Sequence, residues 1–232
     1  MLGSSQENLP STATASSLVG FLSLSIEIRH SIYERVLTVP HFLSVFQDTG
    51  GPVEVFTPAK PNAWLALIYV NRQVSAEARA ILYGANQFIF QEIETLQRPA
   101  SVLEAFLKCI GPENAGFLSH ICIDFPATEK IDDCSGEIRL RDNSLQRLRL
   151  LQKLCAGLKT FETLVYGRNS SSLLSEDQIK TKLVKEVLLD IDAQLRGIVT
   201  LNNIIVRVYS GSIAPPIQEF LQGLGWTVLI GD

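Results

Sequence analysis

Apolar residues near the start of the chain recur at helical spacing. Leu24, Ile28, Ile32 and Val36 fall every four residues and place one apolar stripe on a helix predicted over residues 26–37. Ser25 stands at its N-cap position and Glu27 in its first turn, where the helix dipole favours an anion. Pro40 ends it. Gly50-Gly51-Pro52 signals a turn, and Val53 to Phe56 reads as a short strand broken off by Pro58 and Pro61. A second helical pattern runs from Asn62 to Tyr83, with Leu67, Val70, Val74, Ala78 and Ile81 on one face and Gly84 as its C-terminal cap. Gln87 to Phe90 is then a strand.

From about residue 100 helical and strand patterns alternate. Helices are predicted over 101–110, 142–158, 175–197 and 216–224, and strands over 121–125, 163–166, 204–208 and 226–230. Leu145, Leu148, Leu151 and Leu158 form one apolar helix face, and Ile179, Leu183, Val187, Ile191 and Leu195 another. A capping box, Ser175 with Gln178, opens the longest helix. Such alternation predicts βα units around a parallel sheet, hence an α/β (or α+β) fold with helices on one face or both. One segment, Leu158-x-x-Phe161-x-x-Leu164-x-Tyr166-x-x-Asn169, fits the leucine-rich-repeat template, so a degenerate layer of that type and an ordinary α/β layer both stay open. Residues 1–20, rich in Ser and Thr, are predicted to be a disordered tail. The expected division is then a helical module over 21–98 and an α/β layer over 99–232.

The chain of 232 residues is long enough for a sizeable core, and its 19% charged content suits burial or an apolar face for a partner. A net charge of −4 gives no overall reason to expect nucleic-acid binding. The basic run Arg139, Arg141, Arg147, Arg149 and Lys153 reads as a solvated face. Cys109, Cys122, Cys134 and Cys155 form no metal knuckle and suit a reduced cytoplasmic or nuclear setting. Ala63 to Val70, the longest apolar run, is too short to span a bilayer, and the Asn169-Ser170-Ser171 sequon lacks a secretory context.

Catalytic chemistry finds little support. His120, Cys122 and Asp124 alternate along one strand and share a face, but a nucleophile and its base usually come from different elements. His30 sits between Glu27 and Glu34 on a helix surface. The pairs Asp132-Asp133 and Asp190 with Asp192 read as loop and helix-surface charges. No phosphate-binding, dinucleotide, nucleophile-elbow or zinc motif is present, so no cofactor or metal is expected.

Two segments together resemble a known family. Leu24-Ser-Ile-Glu27-Ile28-Arg29-His-Ser-Ile32-Tyr33-Glu-Arg-Val36-Leu37 and Leu67-Ile-Tyr-Val70-Asn71-Arg72-Gln73-Val-Ser-Ala-Glu77-Ala78-Arg-Ala-Ile-Leu82-Tyr83-Gly84-Ala-Asn86-Gln-Phe88-Ile-Phe90 are similar to the paired motifs of a fungal F-box-like domain family. Ser25 stands where that family usually has proline. The resemblance covers roughly residues 22–91. It implies a non-catalytic interaction module, with a Skp1-like adaptor of a cullin ubiquitin ligase and a target protein as partners and neither nucleic acid nor membrane among them. The alternatives are a stand-alone interaction or scaffold protein with no ubiquitin link, or an enzyme built on the α/β layer. The partner-binding residues it suggests are Leu24, Ile28, Ile32, Val36 and Arg72. The stripe could instead pack on the second motif, and Arg72 could pair with Glu77 or Glu27. Tyr83, Asn86, Phe88 and Phe90 are expected to end a helix, form a turn and fill core.

Overall fold

A computed structural model describes residues 20–48, 51–58, 63–90, 101–130, 138–166, 178–209 and 213–231. Most of the expected tail therefore lies outside the described residues, as do Asp132-Asp133, Cys134, the sequon and Ser175 of the capping box. The elements are α1 (Ile26–Leu37), β1 (Leu43–Gln47), β2 (Val53–Phe56), α2 (Arg72–Ala85), β3 (Gln87–Phe90), α3 (Val102–Phe117) and β4 (His120–Asp124). After them come β5 (Thr128–Lys130), β6 (Ile138–Leu140), α4 (Asp142–Leu154), β7 (Thr160–Val165), α5 (Gln178–Arg196), β8 (Asn203–Val208), α6 (Pro215–Gly223) and β9 (Thr227–Ile230).

The fold is α/β. Seven strands form one sheet in the order β2-β1-β3-β4-β7-β8-β9, parallel throughout except for β2, which pairs antiparallel with β1. A helix precedes each new parallel strand, and α2 to α6 pack on one another in chain order. The helices thus line one face, and the main core forms between them and the inward strand residues: Val45, Phe88, Ile121, Ile123, Phe161, Val165, Val206 and Val208 meet Leu103, Phe106, Leu148, Leu151, Ile191 and Ile217. The sheet runs unbroken across residue 98, because β3 pairs with β4. The expected 21–98 module therefore contributes three strands to the same sheet instead of closing into a separate helical unit.

Several local expectations change. The predicted helix over 62–83 is two pieces, a 3-10 turn at Trp64–Tyr69 and α2. Asn71 makes the break: extended at φ −160°, it caps α2 by accepting the Val74 N–H at 2.9 Å. Nor does Gly84 cap α2, which continues to Ala85 and ends at Asn86. Ser25 holds the N-cap position of α1, but its side chain makes no cap hydrogen bond. The helix predicted over 101–110 reaches Phe117 through a kink at Gly111, whose φ of 80° suits glycine, followed by Pro112. Asp192 is no bare surface charge either, since it accepts the Trp226 Nε1–H at 2.7 Å and pairs with Arg196.

Asn86 ties the two N-terminal helices to the sheet. Its side chain is buried, and its Nδ2 donates to Leu37 O and Leu82 O at 2.9 and 2.8 Å. Its Oδ1 accepts the Val39 N–H at 2.9 Å. Three backbone groups, from the ends of α1 and α2 and the lead-in to β1, are paired by one amide. Replacing Asn86 with alanine leaves them dry and unpaired, at about 1 to 3 kcal/mol per group. In urea unfolding, Asn86→Ala is expected to lose about 3 kcal/mol or more. A loss under about 1 kcal/mol would contradict this role.

Candidate functional site

The expected stripe on α1 is not its buried side, although Val36 packs against the cluster between α1 and α2. The buried residues of α1 are Arg29, Tyr33 and Leu37. They lie one residue step, about 100° around the helix axis, from Ile28, Ile32 and Val36. Tyr33 and Leu37 join Val74, Ala78 and Leu82 of α2 in a small cluster. Ile28 is left 51% exposed, while Leu24, Ile32 and Val36 are half-buried at the border. Ile26 and Leu22 nearby are also exposed. Arg72 is exposed at the start of α2, as are Tyr69 and Val70 just before it.

The partner expected for Arg72 is taken by Arg29. The Arg29 guanidinium grips Glu77 with two bonds, Nε to Oε2 at 2.9 Å and a terminal nitrogen to Oε1 at 2.6 Å. A third bond reaches Leu24 O at 2.6 Å. Tyr33 donates its hydroxyl to Glu77 at 2.9 Å, and Gln73 donates at 3.0 Å. This fork-on-carboxylate geometry is the strong, orienting form of an ion pair. Chiefly through the Arg29 bonds, it holds the Glu77 carboxyl down at about 2 against the opposing effect of burial. The lock fixes which side of α1 faces α2, and so which side faces outward.

A second surface is the sheet face opposite the helices. Alternation along the strands brings His120, Cys122 and Asp124 of β4 there, with Thr160, Glu162 and Leu164 of β7 and Asn203, Ile205 and Arg207 of β8. Ile89, Cys122 and Leu164 form a thin apolar cluster with Phe42 and Tyr166. In its midst Glu162 is 1% exposed. Arg207 donates Nε to Glu162 Oε1 at 2.5 Å, and His120 Nε2 lies 3.3 Å from Oε2. An ionised carboxylate can only accept, so His120 carries its proton on Nε2 here. Burial alone would raise the Glu162 carboxyl, but the bonds from His120 and Arg207 outweigh it and hold it below the ordinary value. Tyr166 and Tyr209 stack beside this group, ring centres 5.5 Å apart and 9° from parallel.

The structure thus brings His120, Cys122 and Asp124 to one face, as their alternation predicts, but it also gives His120 a partner. Glu162, Arg207, Tyr166 and Tyr209 escaped the sequence reading. Their signal was the same period of two in β7 and β8, masked by the apolar residues between them. Cys122 is fully buried, and burial raises its thiol far above the usual range. A nucleophilic thiolate needs the opposite shift. Cys155 is also buried, its thiol pushed up to about 12. Among the described residues no group of three His, Cys, Asp or Glu side chains could hold a metal ion. No helix among them is long and apolar enough to cross a membrane. The basic run does not form one face: Arg147 is buried, Arg139 pairs with Glu129 at 2.7 Å, and Arg149 and Lys153 are exposed.

No protein-family model, no curated protein and no solved structure matches the chain.

Two outcomes follow from this chemistry. Glu77 titrates lower when folded than when unfolded, so its pairing stabilises the fold above its ordinary value near 4.5 and is lost as pH falls toward about 2. Unfolding midpoints measured across that window should fall steeply for the wild type and less steeply for Glu77→Gln; identical slopes would refute the lock. In brief alkylation of the folded chain read by peptide mass spectrometry, exposed Cys109 should label while Cys122 and Cys155 stay protected. Fast labelling of Cys122 would instead reopen the possibility of an enzyme.

Proposed function

We propose that this chain is a non-catalytic protein-interaction module that works in the cytoplasm or nucleus. Its α1 flank docks a Skp1-like adaptor, its sheet face receives a target protein, and any ubiquitin chemistry belongs to the partners. The observation that carries this reading is the outward side of α1. Ile28 stays exposed although the neighbouring side of the same helix is packed, and Leu22 and Ile26, before the helix and at its first residue, are exposed as well. An apolar helix flank beside a locked polar face suits a helix-in-groove contact. Arg72, exposed at the start of α2, would reach the rim of that contact. The resemblance of residues 22–91 to F-box-like domains supports the choice of adaptor. The sealed thiol of Cys122 argues against nucleophilic catalysis on the sheet face.

A pull-down of purified chain with a Skp1-like adaptor tests the reading. Wild type should retain the adaptor. Ile28→Asp should weaken retention about tenfold or more, because a charge enters an apolar contact where burial of isoleucine had contributed roughly 1 to 2 kcal/mol. Failure of the folded wild type to retain the adaptor would favour the stand-alone scaffold reading.

A further inference from the structure

The sheet face holds a buried acid where an apolar residue would fill the space equally well. Glu162 lies between Cys122 and Ile205 in the register of the sheet, with Leu164 two residues along the strand. A buried ion pair at such a place adds little to stability compared with a well-packed apolar residue. What Glu162 does accomplish is orientation. It fixes the guanidinium of Arg207 through Nε and the ring of His120 through Nε2. Phe42 supports that ring edge-on, with centres 5.7 Å apart at 89°.

The accessible part of this cluster is Arg207 and His120. Glu162 is 1% exposed and fully engaged, whereas the side chains of Arg207 and His120 are 20% and 16% exposed. Guanidinium carries five N–H donors in a planar fork. Among the described residues its bond to Glu162 uses Nε, which leaves the terminal nitrogens for a second acceptor. Immediately beyond, at the C-terminal ends of β7 and β8, stand Tyr166 and Tyr209, the latter 46% exposed. Flat, rigid tyrosines beside a preoriented arginine form the kind of cluster that dominates protein interfaces. Asp124 also lies on this face, separated from Arg207 by Leu164 on the intervening strand, while Glu54 stands far off on β2. Asp124 disfavours a second acid on the β4 side and so directs an acidic group toward β8.

We propose that Arg207 and His120, anchored by Glu162 and flanked by Tyr166 and Tyr209, form a recognition site for an acidic, aromatic-containing peptide segment of a partner protein. The inference rests on the reading of the chain as an interaction module and names the chemistry of the segment that its sheet face takes. A carboxylate of the segment meets the terminal nitrogens of Arg207, and an adjacent aromatic or apolar side chain covers the tyrosine pair.

Fluorescence anisotropy of the full chain with a labelled octapeptide of alternating Glu and Tyr, and with its Gln-Tyr counterpart, tests this. Saturable binding of the Glu peptide, about tenfold tighter than the Gln peptide, is expected at low salt. Arg207→Gln and Tyr209→Ser should each weaken it about tenfold. Tyr209 is half-exposed, so its variant stays folded even if loss of Arg207 loosens the sheet. Ile28→Asp should bind the peptide within about twofold of wild type, since the α1 flank is not part of this site. The proposal is overturned by equal binding of the two peptides, by absence of binding at millimolar concentration, or by Tyr209→Ser binding as wild type. Failure of the wild type to retain the adaptor, with its peptide binding intact, would remove the adaptor reading alone, and the converse would remove only this site.

Discussion

The ion-paired lock between α1 and α2 decides what the N-terminal part of this protein can offer to anything else. A helix buries one side, and hydrophobic spacing alone leaves two adjacent sides of α1 in competition. Polar groups settle it. Arg29 and Tyr33 converge on Glu77 near the start of α2, and Asn86 closes the other end by holding the final turns of both helices. Between these ties Leu37 packs with Ala78 and Leu82. Hydrogen-bond geometry tolerates far less rotation than apolar contact does, so the helix is held with Ile28 outward. The groups that make these ties are Arg29, Tyr33, Glu77 and Asn86. In this chain they set orientation, and the surface open to a partner belongs to their neighbours.

The sheet obeys a comparable rule. Each parallel strand brings one face to the helices and one away from them, and the helices form a single layer. The away-facing residues must then be either polar or covered. Here they are both: a thin cluster of Ile89, Cys122 and Leu164 lies under Phe42 and Tyr166, and a carboxylate in its midst is satisfied by Arg207 and His120. Such a face is too small and too polar to be a second core. It has the composition of a surface that recognises other molecules, which fits the division of labour proposed between α1 and the sheet.

Much of the secondary structure was legible in the sequence because its periodicities are long and clean. The bounds of α1 and of β2 and β3 follow from pattern and breakers alone, and the later strands are displaced by only a few residues. The short strand β1 escaped notice because a five-residue run after Pro40 carries little periodic signal until its partner β3 is known. The hairpin of β5 and β6, three residues each, was invisible for the same reason. The break before α2 was hidden by an apolar run that continues through it, and only the cap made by Asn71 reveals it. At the candidate sites, spacing placed His120, Cys122 and Asp124 correctly on one face. It left open whether the apolar stripe of α1 packs or faces a partner, and it missed the side that is buried, since an arginine and a tyrosine do not register as apolar. Glu162 and Arg207 are brought together by strand pairing across a helix, which no local pattern encodes.

The orientation of α1 is open to one direct measurement, equilibrium unfolding of Ile28→Asp beside Leu37→Asp. The lock predicts that aspartate at position 28, on the exposed side, changes stability by no more than about 0.5 kcal/mol. At position 37, where the side chain is wholly buried, it predicts a loss of several kcal/mol or failure to fold. Equal losses at the two positions, or a larger loss at 28, would mean that the apolar stripe faces the core after all.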